Sequence, residues 1–202
     1  MSAEATARLP YRALRLLYLT LGYNVLEGFI AIGSGVAAGS IALVGFGLDS
    51  FIEVFAAAVV VWRLRSDAEG EAAERIERRS LRLIGVTFFL LAAYIIFEAI
   101  GNLVFRIEAE ESWLGIGLAI VSLIVMPVLA WAKLRLARQL GSPALRAEAV
   151  ETLVCAYLSF ALLLGLGANA LWGLWWADPI AALAMTPLVL KEGREAWRGE
   201  DT

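Results

Sequence analysis

The chain of 202 residues has no histidine, one cysteine and five prolines, and its 37 charged residues are nearly absent from its apolar stretches. Each scarcity excludes something. Without histidine the protein lacks the side chain that usually exchanges protons near neutrality and most often binds transition metals. A lone cysteine, Cys155, rules out an internal disulfide framework. No glycine-rich phosphate loop and no nucleophile elbow is present, and no stretch is polar enough to form a soluble catalytic domain, so no enzymatic activity and no permanently bound cofactor are expected. The net charge of −3 arises from segregated blocks of charge, which gives no nucleic-acid footprint.

What is present is apolar surface. Hydrophobic residues make up 60% of the chain and the mean hydropathy is +0.74, too high for an ordinary soluble globule. Between Leu16 and Trp62 the only charges are Glu27, Asp49 and Glu53. That stretch accommodates two helices of the roughly 20 residues needed to cross a bilayer. Continuing in this way predicts an all-α integral membrane protein with six spans, at about 14–34, 40–62, 83–104, 113–131, 147–169 and 174–190. Residues 1–13 form an N-terminal segment, 14–190 the six-helix domain and 191–202 a short tail, with residues 33–40 read as the first hairpin. The connector from Arg63 to Arg82 reads as an exposed helical extension, because its Glu and Arg residues recur at helical spacing. Sixteen of the 17 lysines and arginines then fall on one side of the membrane, opposed only by Arg106. Cytoplasmic flanks retain basic residues, so both termini are expected in the cytoplasm. Trp62, Trp113, Trp131, Trp172, Trp175 and Trp176 sit at span ends, where the indole ring prefers the interface.

The informative residues are the acids inside the spans. Glu27, Asp49, Glu53, Glu98 and Glu151 lie within them and Glu148 lies near the cytoplasmic end of the fifth, with no Lys or Arg expected at comparable depth. A carboxylate at the bilayer centre costs a few kcal/mol even on the mildest scale, so it faces a cavity, takes a proton or meets a cation. For the isolated Glu98 a protonated, structural role is expected, and Asp178 reads as the N-terminal signal of the sixth helix. Asp49 and Glu53 are different, being four residues apart and therefore one turn apart on one face. Glu151 and Cys155 repeat that spacing in a span of opposite direction, so both pairs fall near mid-bilayer. Three carboxylates and a thiolate make a tetrahedral set suited to a borderline ion such as Zn²⁺ or Cd²⁺ rather than Mg²⁺ or Ca²⁺. By spacing alone that site and a structural reading stand level, since a single cysteine is ordinarily a small buried apolar residue. Asn24 and Glu27 are candidates to line the pathway, with helix packing as the alternative. Glu148 is a candidate to attract cations at the inner mouth, with a solvated interfacial acid as the alternative.

Three segments carry a family resemblance. The run "GSIALVGFGLDSFIEV" ending in "WRLR" resembles the second transmembrane helix of cation diffusion facilitator transporters. "SPALRAEAVETLVC" resembles the entry to their fifth helix, and "WWADPIAALAM" followed by "KEGREAW" resembles their sixth. The chain is most similar to short forms lacking the cytoplasmic C-terminal domain, and to the transmembrane protein 163 branch. The resemblance implies metal ligation by Asp49 and Glu53, with Glu151 and Cys155 at the positions where His and Asp are common in the family. It also implies export of Zn²⁺, or of Cd²⁺, Mn²⁺, Co²⁺ or Fe²⁺, from the cytoplasm by alternating access in exchange for protons. Without histidine that exchange passes to carboxylates, with Glu151 as the candidate. The expected partners are the lipid bilayer, divalent metal ions, protons and a second copy of the chain held through the transmembrane helices. The expected location is the plasma membrane, the inner one in a bacterium. A non-transporting membrane adaptor and a proton-coupled exporter of organic cations remain alternatives from the residues themselves.

Overall fold

The computed structural model describes residues 9–65 and 71–198, all helical apart from short connections. Six helices follow one another: α1 (Leu9–Ala38), α2 (Ile41–Arg65), α3 (Glu71–Phe105), α4 (Trp113–Leu140), α5 (Pro143–Trp172) and α6 (Ala177–Arg198). They outrun the apolar spans at several ends, because the loss of apolar residues marks the edge of lipid and not the end of backbone hydrogen bonding. Helix ends are instead set by capping chemistry. Gly39, Gly141 and Gly173 take left-handed φ values of 66°, 58° and 62°, a conformation that only glycine adopts without strain. Ser112 and Ser142 accept hydrogen bonds from the backbone N–H groups of Gly115 and Leu145 and so start α4 and α5. The first hairpin is correspondingly tighter than expected. Residues 33–38 belong to α1, and only Gly39 and Ser40 turn the chain.

Five helices are long and apolar enough to cross a membrane, while α6 falls outside that group because its second half, "KEGREAWR", is charged. The chain is a multi-pass integral membrane protein. Large apolar side chains such as Phe29, Leu90, Phe97, Val104 and Ile124 point outward, as a lipid-facing surface requires; Trp113 and Trp172 are exposed at helix ends, and Trp131 is exposed within α4. Of the expected exposed connector, residues 66–70 lie outside the described residues, and 71–82 form the first part of α3.

The helices pack chiefly as three pairs, α1 with α2, α4 with α5 and α3 with α6. Helix α2 joins them, since it also contacts α3, α5 and α6. Glycine makes its closest approach possible. A Cβ on Gly47 would lie 2.9 Å from the backbone nitrogen of Ile32. Helices α2 and α5 thereby present their polar residues to one another and to α1 and α4, above and below a core that includes Phe46, Leu158, Leu162 and Met185.

Asp178 has a second task besides the one its position suggests. It is fully buried, and besides occupying the first turn of α6 it caps the neighbouring helix α2. Ser40 Oγ donates to Asp178 Oδ1 at 2.5 Å and the Ile41 N–H donates to Oδ2 at 3.0 Å. One carboxylate thus serves the positive ends of two helices. Asp178→Ala is expected to cost about 1–3 kcal/mol, because Ser40 and the Ile41 N–H would be left buried without an acceptor. Asp178→Asn, which keeps one acceptor oxygen, should lose less. Thermal unfolding in detergent checks this, and equal melting of Asp178→Ala and the parent chain would remove the capping role.

Candidate metal-binding site

Helix α2 holds Asp49 and Glu53 toward the interior, 5% and 7% exposed, with Ser50 fully buried on the same turn. Antiparallel α1 lies in a register that sets Asn24 opposite Glu53 and Glu27 opposite Ser50. Asn24 Nδ2 donates to Glu53 Oε2 at 2.8 Å, and Ser50 Oγ donates to Glu27 Oε2 at 3.0 Å. From α4, Ser122 donates to the other oxygen of Glu27, and its hydroxyl pairs with that of Tyr23 at 2.7 Å. From α5, Cys155 is buried with Sγ 4.0 Å from Glu27 Oε2. Glu151 stands one turn further toward the cytoplasmic end that the charge pattern predicts, half-buried, where the charges of Glu53, Glu148, Glu192 and Asp49 all reach it.

Glu53, Glu27 and Cys155 thus lie in one polar region where α1, α2, α4 and α5 meet, with Asp49 and Glu151 each one turn away on α2 and α5. The two expected pathway residues of α1 are part of the same centre: Asn24 donates to Glu53, and Glu27 accepts from Ser50 and Ser122. Among the described residues, no three acidic or thiol groups converge closely enough to enclose an ion as they stand. Glu53 is instead held by Asn24, and Glu27 by Ser50 and Ser122.

Expecting no basic residue at this depth was incorrect. Lys133 of α4, assigned by its sequence position to an interfacial connector, is fully buried. Its Nζ donates to Glu148 Oε1 and to Thr152 Oγ1, at 2.5 and 2.8 Å. Glu148 is thus not a free acid at the inner mouth, because one of its oxygens is committed to an ammonium. Its other oxygen, Oε2, is buried without a hydrogen-bond partner among the described residues. The signal for Lys133 lay in helical spacing. Ala119, Ser122, Met126, Ala130, Lys133 and Ala137 recur at four- and three-residue intervals and all are buried. A lysine on that stripe faces the bundle, and its aliphatic stem packs there as any apolar chain would.

Glu192 also went unnoticed in what reads as a free tail. Helix α6 continues through it, leaving it 7% exposed with Oε1 lacking a partner among the described residues. Burial pushes its carboxyl above the usual range, reinforced by the charge of Glu195 and opposed by that of Lys191.

The cation efflux transmembrane domain family matches residues 17–198. Transmembrane protein 163 of Xenopus laevis is 29% identical over 153 residues, which cover 76% of this chain and 54% of that protein. The uncharacterized transporter sll1263 of Synechocystis sp. is 27% identical over 201 residues, which cover 96% of this chain and 63% of that protein. The chain therefore spans less than two thirds of the length of either relative.

Proposed function

Because the chain belongs to the cation efflux transmembrane domain family, we propose that it is a secondary transporter that exports divalent transition-metal cations from the cytoplasm by alternating access, in exchange for protons. The observation that carries this reading is the placing of buried Asp49, Glu53 and Cys155, and of half-buried Glu151, on α2 and α5, two helices in contact with each other. Such groups are expensive in lipid and are retained where a cation enters. Zn²⁺ is the first candidate, since a thiolate beside carboxylates suits a borderline ion. In this proposal all six helices span, both termini are cytoplasmic and two copies associate through their membrane helices.

Proton exchange follows from ligand chemistry. Carboxylates and a thiol bind metal in their deprotonated forms, so loading releases protons, and protons arriving from the opposite side favour unloading. Glu151 is the assigned exchanger, being the half-buried member of the set and the one reached by most other acids.

Purified protein in proteoliposomes, given Zn²⁺, Cd²⁺, Mn²⁺, Co²⁺ and Fe²⁺ in turn against a pH gradient, tests the reading. At least one ion should move, with Zn²⁺ or Cd²⁺ fastest, and Glu151→Gln should slow transport and flatten its dependence on pH. Movement of an organic cation with no movement of any metal would overturn the proposal. Glu151→Gln with full rate and an unchanged pH profile would overturn the exchanger assignment alone.

A further inference from the structure

Residues 106–112 join α3 to α4 at the end of the bundle where α1 and α5 finish and α2 and α6 begin. In the transport reading this is the end away from the cytoplasm. The middle of the connection is not a free loop. Ala109 is buried, although Glu108 and Glu110 on either side of it are exposed. The peptide unit between Ala109 and Glu110 is gripped from both sides: its carbonyl accepts from Asn169 Nδ2 of α5 at 2.8 Å, and its N–H donates to the Ala38 carbonyl of α1 at 2.7 Å. The C=O and N–H of a trans peptide point in opposite directions from one rigid plane. That plane therefore bridges α1 and α5.

Among the described residues α1 and α5 scarcely pack on one another, since α1 is paired with α2 and α5 with α4. Between the bridge and the polar region the outer halves of α2 and α5 carry Leu43, Phe46, Leu158, Leu162 and Leu166, all 2% exposed or less. Capping accounts for half of the grip, because Ala38 offers one of the carbonyls that a helix end leaves open. It does not account for Asn169. The end of α5 is already closed by the Gly173 N–H on the Asn169 carbonyl, and the Asn169 side chain reaches away from its own helix to hold a peptide from another part of the chain.

We propose that the Ala109–Glu110 peptide is an outer clasp, which ties the α1–α2 pair to the α4–α5 pair and holds the outward path to the polar region shut. This rests on the transport reading above. Alternating access proceeds by rocking of packed units between states of similar free energy, so each closure must be firm enough to seal and cheap enough to undo. Two hydrogen bonds on one rigid peptide meet that need. They form and break together, which makes the clasp either closed, as it stands here, or open. The grip is on backbone, so the exposed acids of the connection take no part in it.

Cys155 is the only cysteine and is buried beneath that apolar layer, so its thiol reports access. In intact cells a small impermeant methanethiosulfonate reaches it from outside alone, and the thiol left unmodified is counted by gel shift with a PEG-maleimide after denaturation. Asn169→Leu withdraws the grip on the carbonyl, and Glu110→Pro withdraws the N–H. Each is expected to speed outside modification about fivefold, the shift set by one hydrogen bond of ordinary net strength, and the double variant should gain less than the product of the two. Glu110→Ala, which keeps the N–H, should react as the parent does. In inverted membrane vesicles, where the reagent meets the cytoplasmic face, Asn169→Leu and Glu110→Pro should react no faster than the parent. An unchanged outside rate in either variant, equal acceleration from both faces, or the same acceleration in Glu110→Ala would overturn the clasp. A parent chain that moves no metal in proteoliposomes while these labelling differences hold would instead defeat the transport reading. Should Asn169→Leu or Glu110→Pro fail to fold, Asn169→Asp carries the test, since its carboxylate matches the amide in shape and has no N–H to give.

Discussion

Asp49→Ala, reconstituted in proteoliposomes, is expected to carry Zn²⁺ at least about 100-fold more slowly than the parent chain, a loss no smaller than that seen when supporting groups around a metal are removed. Its folded stability should move the other way. Asp49 is buried among like charges, with Glu53, Glu27 and Glu192 all near enough to act on it. Removing one of several buried anions relieves their mutual repulsion, whereas the carboxyl volume lost is small. The metal-free variant is therefore expected to melt at or above the temperature of the parent chain. The parent should gain stability from Zn²⁺, by about 2.7 kcal/mol at a free concentration 100 times its Kd, and the variant should gain far less. Opposite signs in activity and metal-free stability distinguish a binding residue from a structural one. A variant that melts well below the parent, or carries metal at more than a tenth of its rate, would show that Asp49 is structural.

Asp49 and Glu53 stand out in the sequence for the same physical reason. Carboxylates four residues apart in an apolar run are unfavourable for a fold, so their presence points away from packing and toward a ligand. Glu151 and Cys155 stand out less. The spacing recurs in a helix of opposite direction, but a cysteine alone is unremarkable in a core. The neutral donors that hold Glu53 and Glu27 could not be read in the same way. Ser50 also donates to the Phe46 carbonyl and Thr152 to that of Glu148, the ordinary resting place of a hydroxyl in a helix. Nothing local marks Ser50 as a partner of Glu27. The six helices were readable because apolar length is a one-dimensional signal, while their ends were not, since capping glycines and serines lie outside the hydropathy pattern. Asp178 shows the same limit. Its position at the start of α6 was visible, but its bonds to Ser40 and Ile41 depend on α2 and α6 beginning side by side. Glu192 was hidden by its neighbours Lys191 and Arg194, which give the segment the look of a solvated tail although one of its faces is buried.

Lys133 offers the largest expected effect on stability. Its ammonium and the Glu148 carboxylate are 0% and 4% exposed and meet at 2.5 Å. Lys133→Met keeps most of the packing of the aliphatic stem but withdraws the charge. It leaves Glu148 buried with neither oxygen hydrogen-bonded to a donor, and Thr152 without its ammonium contact. Stranding one member of a buried ion pair costs about 3–5 kcal/mol, which for a chain of this size corresponds to a fall in melting temperature on the order of 10 °C. Replacing both members is a different matter, because the desolvation of both charges is then avoided. Lys133→Met/Glu148→Leu should recover most of the loss and come within about 1–2 kcal/mol of the parent chain, on either side of it. The difference between the double variant and the sum of the single ones, measured by thermal unfolding in detergent, isolates the pair itself. If Lys133→Met melts with the parent, the ammonium is not what neutralises Glu148. If the double variant is instead as unstable as the two single losses added together, the residues act independently and the ion pair does not join α4 to α5. Coupling of the expected size would mean that the adjoining ends of these helices are held by a cation built into the chain, one turn from the proposed exchanger Glu151.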